Sequence, residues 1–192
     1  MTVMTNTEIL ALAVSIITTG IAITAVQMKR VLYARFCQLA SNSLLVLEYF
    51  ITDNISASGV CAVAIIQVLT AFALSNREGG YPKLLSVAFM LVYLTLTFLT
   101  IEKNADILSG IAACFFALAV VQRNMSIYRI FATSNCTTWL IFDIWSGTYT
   151  AVILHATIFI IDIITIVRKD RQFWRGIFEK IFRKKEKSPE NE

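Results

Sequence analysis

Several side chains able to hold a polar solute or exchange protons lie inside otherwise apolar stretches of this sequence, among them Asn42, Asn135, Asp143, His155 and Asp162. Each amide brings two donors and an acceptor into a medium without water to satisfy them. Asn42 and Asn135 stand near the middles of two apolar runs. Either the pair grips a polar solute, or each bonds a neighbouring helix of its own bundle, which is worth about 1 kcal/mol or less. Asn135, Trp139 and Asp143 step by four and so share one broad helix face. An aromatic plate beside amides suits a sugar ring, a nucleoside or another flat polar solute; the alternative for Trp139 is core filling. His155, the single histidine, precedes Asp162 by seven residues, so both occupy one face about two turns apart. Ionisable groups at membrane depth mark a pathway or a proton relay. The plainer alternatives are an Asp162 ion pair with a neighbouring helix and a His155 bond to a carbonyl. Arg35, Gln38, Asn42 and Tyr49 make a second polar stripe that should point into the protein. Glu48 and Asp143, near one end of their runs, are expected either as an acidic rim favouring cations or as headgroup residues.

The elements that must position these groups follow from hydropathy. Of 192 residues, 57% are apolar and 16% charged, and the mean hydropathy is +0.68. Apolar runs recur at 8–27, 32–52, 55–75, 84–101, 105–122, 126–145 and 147–168. A helix needs roughly 20 such residues to cross hydrocarbon. The expectation is an all-α membrane protein of seven transmembrane helices. Every one of the 17 Lys and Arg except Lys103 falls at or after the ends of runs one, three, five and seven. Basic residues are retained on the cytoplasmic side, so the amino terminus is expected outside and the carboxyl terminus inside. The first run has no Lys or Arg before it, which points to a retained helix rather than a cleaved signal. Cys37, Cys61, Cys114 and Cys136 lack metal or disulfide spacing and are expected as small buried hydrophobes.

Sliding the sequence by 93 residues superposes runs one to three on runs five to seven, matching Arg30 with Arg123, Ser41-Asn42 with Ser134-Asn135, Leu47 with Leu140 and Ile51 with Ile144. Two three-helix units can point the same way only with an extra helix between them, and run four, preceded by Gly79-Gly80 and Pro82, supplies it. The expected plan is 3+1+3: a first bundle over 1–78, a linker helix over 79–103, a second parallel bundle over 104–168 and a tail over 169–192. Parallel repeats of this kind hold substrate near the midplane between the halves.

The stretch Arg35-Phe36-x-Gln38-Leu39, and the one from Trp139 through Trp145-Ser146-Gly147 to Asp162 and Arg168, resemble the YgjV-type bacterial inner-membrane family within the SWEET and PQ-loop superfamily. The resemblance covers about 170 residues and implies the SWEET-like 3+1+3 fold, a location in the bacterial inner membrane and a transport function without naming the solute. It also implies a polar residue at Asp162, whose counterpart on the third run is Gln67. The superfamily's proline-glutamine pair is absent, since the prolines are Pro82 and Pro189. Bending in runs one and five would then rely on Thr18-Thr19-Gly20 and Gly110.

After Arg168 apolar pairs recur every four residues among basic ones, the pattern of a helix lying on anionic lipid headgroups. No motif of hydrolytic, metal or phosphate chemistry occurs, so no enzyme, cofactor, metal or nucleic-acid partner is expected. The expected function is transport of a small polar solute by alternating access around Gln38, Asn42, Gln67, Asn135, Trp139, Asp143, His155 and Asp162, with proton coupling open and two copies able to associate. The rival is a receptor or assembly subunit with the same fold and no transport.

Overall fold

The computed structural model describes residues 6–74, 83–171, 173 and 175–176. The segment holding Gly79-Gly80 and Pro82, and most of the basic tail, lie outside the described residues. Seven helices and no strand form among those described: α1 (Asn6–Gln27), α2 (Val31–Ile51), α3 (Ile55–Ala73), α4 (Lys83–Thr100), α5 (Asp106–Val121), α6 (Met125–Ser146) and α7 (Tyr149–Lys169). Their limits fall within two residues of the apolar runs. Local chemistry sets several of them. The Asn124 side chain accepts the Ser126 amide at 2.8 Å and starts α6. Gly147, at φ +77°, ends it in the left-handed region that a side chain would resist. Asp106 opens α5 by accepting the amides of Glu102 and Lys103 at 2.8 and 2.9 Å.

Three stretches, Ile9–Gln27, Ile55–Ala73 and Ala151–Lys169, are long and apolar enough to cross a membrane unaided; the apolar parts of α4 and α5 are shorter. At 21 and 22 residues, α2 and α6 have the length but carry Arg35, Asn42 and Glu48, and Arg129 and Asp143. All five of these side chains are buried. Large apolar residues such as Ile16, Phe98, Leu99, Trp145, Ile153 and Val167 instead cover the outside. Hydrocarbon outside and polar groups inside is the arrangement a bilayer requires.

The helices close a ring in which α1 packs on α2, α2 on α3, α3 on α5, α5 on α6, α6 on α7 and α7 on α1, with α4 lying against α3 and α5. Each packing pair of the first three helices recurs among the last three. The spacing that relates them is 94 residues rather than the 93 suggested by the Ser-Asn dipeptides. Tyr49 bonds Asp143 and Asn54 bonds Thr148, each with a partner 94 residues away. At that spacing Ser15 matches Ser109, Ala25 matches Ala119, Val26 matches Val120 and Arg35 matches Arg129. One residue is about 100° of helix rotation, so the difference decides which face is equivalent. Asn42 and Asn135 are therefore not counterparts. Ser41 corresponds to Asn135, and Asn42 to Cys136.

The two expected loosening points differ in their surroundings. In α1 the Thr18 and Thr19 hydroxyls donate to the Val14 and Ser15 carbonyls at 2.8 and 2.7 Å within an uninterrupted helix. Gly110 is a contact point, because a Cβ there would lie 2.7 Å from Thr97 Oγ1 on α4. Gly110→Val is accordingly expected to cost about 1–3 kcal/mol through overpacking, whereas a methyl at Gly20 meets nothing within 4 Å. Thermal unfolding in detergent should show a lowered midpoint for Gly110→Val and a near-wild-type midpoint for Gly20→Ala. Equal midpoints for the two would contradict the close α4–α5 approach.

Candidate functional site

Six helices of the ring enclose a cavity of about 60 Å³ halfway along their length. It is lined from Thr18 to Val26 on α1, Gln38 to Leu45 on α2 and Leu154 to Asp162 on α7, with α3, α5 and α6 completing the wall. At some 10–15 Å³ per water in this measure, it holds about four waters. That is too small for a hexose in this conformation. The lining obeys the 94-residue spacing. Gln38, Ser41, Asn42 and Leu45 are answered on α6 by Ala132, Asn135, Cys136 and Trp139.

Six of the eight residues singled out from sequence line this cavity: Gln38, Asn42, Asn135, Trp139, His155 and Asp162. Asn42 Nδ2 donates to the Gln38 carbonyl at 2.7 Å, so much of its donor capacity stays within α2. Asn135 Oδ1 is buried with no hydrogen-bond partner among the described residues. Trp139 stacks on Tyr49, with ring centroids 5.2 Å apart, and on His155 at 6.2 Å. The indole thus belongs to an aromatic stack, and the expected plate for a sugar ring is engaged by side chains of the protein.

Two residues lie elsewhere. Gln67 is fully buried at the α3–α4 seam, where its Oε1 accepts the Tyr93 hydroxyl at 2.7 Å. At the 94-residue spacing the counterpart of Asp162 is Val68. Asp143 sits one turn beyond Trp139, fully buried, with one carboxyl oxygen accepting the Tyr49 hydroxyl at 3.0 Å and the other 2.6 Å from His155 Nδ1. Glu48 is equally buried and accepts the Ser15 hydroxyl. Neither carboxyl forms an exposed acidic rim, because each is buried against partners from facing helices.

Asp162 is 1% exposed and has no ion-pair partner among the described residues. Arg129 acts on it electrostatically but makes its ion pair with another carboxyl. Its guanidinium pairs with Asp170 at 2.7 Å and donates to the Val26 and Met28 carbonyls, both at 3.2 Å. Arg35 donates to the Val120 carbonyl at 2.6 Å. The two contacts are reciprocal: an arginine opening α2 holds the end of α5, and its counterpart opening α6 holds the end of α1, each on matching valine carbonyls. They join the two sets of helices at the end where α1 finishes. At the opposite end Tyr49 bonds Asp143, and Asn54 Nδ2 donates to Thr148 Oγ1 at 3.2 Å. Hydropathy and spacing alone did not single out the arginine pair. The joint recurrence of Arg35 with Arg129 and of Val26 with Val120 at one spacing was the available signal.

A family model described as Imp-YgjV, bacterial inner membrane protein, matches residues 9–172. Comparison with curated proteins and with solved structures gives no match.

The buried pair at the arginine end should contribute strongly to stability, because truncating one member leaves an uncompensated charge, at about 3–5 kcal/mol. Asp170→Ala is expected to lower the unfolding midpoint in detergent markedly, while an alanine at exposed Arg171 leaves it unchanged. Equal midpoints for the two variants would mean that Arg129 and Asp170 are in effect solvated.

Proposed function

We propose, for a chain that belongs to the Imp-YgjV family of bacterial inner membrane proteins, that it transports a small polar solute by alternating access. In this proposal all seven helices cross the membrane in a SWEET-like 3+1+3 plan. Helices α1–α3 and α5–α7 form two parallel bundles, α4 joins them, the amino terminus is outside and the carboxyl terminus inside. The observation that carries the reading is a polar cavity lined by both sets of three helices, with bonds between the two sets toward each end. A packed structural subunit has no need of such a space at mid-depth. Support for the paired plan comes from the recurrence of every packing pair and of the two arginine-to-valine contacts at a single spacing.

In mechanistic terms the two bundles rock about the cavity. Opening toward the cytoplasm breaks the Arg35 and Arg129 contacts and leaves the Tyr49–Asp143 and Asn54–Thr148 bonds intact; opening outward does the converse. Hydrogen bonds to charged groups contribute about 1.5–3 kcal/mol each, so loss of one shifts a two-state equilibrium measurably. The alternative, a receptor or assembly subunit of the same fold, requires no opening at either end.

Native thiols offer a test, since Cys61 and Cys136 line the cavity and are only 2% and 4% exposed. With Cys37 and Cys114 replaced by serine, a small membrane-impermeant thiol reagent should label Cys61 and Cys136 slowly in sealed vesicles. Arg35→Ala should speed labelling severalfold from the cytoplasmic side, and Tyr49→Phe severalfold from the outside. Uptake by proteoliposomes of a panel of small solutes, with Asn135→Ala as the comparison, completes the test. Thiols that stay inert in both variants, together with no uptake of any solute, would favour the subunit.

A further inference from the structure

We infer that the cavity is a binding site for a small monovalent cation, either a primary ammonium group or an alkali metal ion, with Asp162 as its anchor and Asn135 as a second oxygen ligand. This deepens the transport reading and rests on it only for the cavity's role, since binding is testable without flux.

The cavity wall carries both matched and unmatched polar atoms. Four polar lining residues turn donor hydrogens toward oxygens of the chain itself. Thr18 donates to the Val14 carbonyl at 2.8 Å, Ser41 to the Gln38 carbonyl at 3.2 Å, Asn42 to the same carbonyl at 2.7 Å and Cys136 to the His155 carbonyl at 3.3 Å. What remains unmatched on the wall includes two acceptor oxygens, beside the Asn135 amide hydrogens. Asn135 Oδ1 and Asp162 Oδ1 are both buried without a hydrogen-bond partner among the described residues. The other Asp162 oxygen fares little better. Its one partner is the Thr133 hydroxyl at 3.3 Å, and that hydroxyl's single hydrogen has a closer acceptor in the Arg129 carbonyl at 2.8 Å.

Charge points the same way. Arg129 is held by Asp170 and two carbonyls, Arg35 reaches the Val120 carbonyl, and His155 is bonded to Asp143. Asp162 is therefore the one lining carboxyl, and no cation among the described residues pairs with it. A buried carboxylate whose nearest counter-charge, Arg129, lies beyond ion-pair distance and is already paired with Asp170 is costly in hydrocarbon, and a bound cation lowers that cost. An anion would meet the carboxylate, and a sugar would find Trp139 already stacked by Tyr49 and His155. A volume of about 60 Å³ admits an ammonium group or an ion with a few waters.

The test uses the purified full-length protein in detergent, titrated by calorimetry with methylammonium, sodium and potassium chlorides. N-methylglucamine chloride serves as a bulky cation of equal ionic strength and glycerol as a neutral solute. A saturable isotherm is expected for at least one small cation, at least tenfold weaker in Asp162→Asn. Saturation by methylammonium alone assigns an amine, and saturation by sodium or potassium alone assigns a metal ion. Should Asp162→Asn fail to fold, Asn135→Ala is read in its place, with a severalfold loss expected. Equal response to N-methylglucamine, binding of glycerol instead of any cation, or small-cation affinity unchanged in the folded variants each overturns the assignment. Cation binding without flux would sink the transport reading and keep the site, whereas Asn135-dependent flux of glycerol without cation binding would do the reverse.

Discussion

A polar side chain turned away from water must find its partners within the protein, and α2 and α6 each carry several that are buried. Arg35, Asn42 and Glu48 on one, and Arg129 and Asp143 on the other, must all be turned away from lipid. Neither helix can do this alone, so each is flanked by two helices with apolar outer faces. Closure of the ring, the outward display of Ile16, Ile153 and Val167, and the mid-depth cavity between the two polar helices all follow from that requirement.

The same requirement explains why the ends of the ring are joined by side chains rather than by loops. An arginine opening α2 has nowhere to place its donors except on carbonyls, and the carbonyls ending a helix lack partners within it. Arg35 and Arg129 use those of α5 and α1 respectively, which couples the two sets of three helices at one end. At the other end, residues 94 apart meet each other directly, as Tyr49 does Asp143 and Asn54 does Thr148. Residues related in this way can touch only near the axis that relates them. Both ends thus depend on a few polar bonds of similar kind, and a few such bonds are what a small conformational energy difference can make and break.

The cavity between these contacts carries a single carboxyl, that of Asp162. Back-bonding of hydroxyl and amide donors to the helix backbone is a local habit of Thr, Ser and Asn. Here it ties up part of the wall's donors and leaves a carboxyl oxygen and the Asn135 amide facing no partner. The aromatic residue that composition alone would offer to a flat solute is instead held in place by Tyr49 and by the Asp143–His155 pair. Recognition by charge consequently fits the geometry better than recognition by stacking.

Hydropathy and period were enough to place seven helices to within two residues, since an apolar run bounded by polar breaks has few other ways to satisfy its backbone. The types and spacing of Gln38, Asn42, Asn135, Trp139, His155 and Asp162 were also enough to put them on inward faces. What the sequence could not determine was rotation about each helix axis to better than one residue. The Ser-Asn dipeptides suggested a 93-residue spacing, whereas bonds between Tyr49 and Asp143 and between Asn54 and Thr148 set it at 94. That single step, about 100° of rotation, pairs Asn135 with Ser41 and leaves Gln67 at the α4 seam. Partner choice was likewise beyond the sequence. Asp143 and Glu48 lie near helix ends by position, yet both are buried, because Tyr49, His155 and Ser15 arrive from other helices. Contacts between residues dozens of positions apart depend on how the helices are rotated and packed, and that packing exists only in the assembled fold.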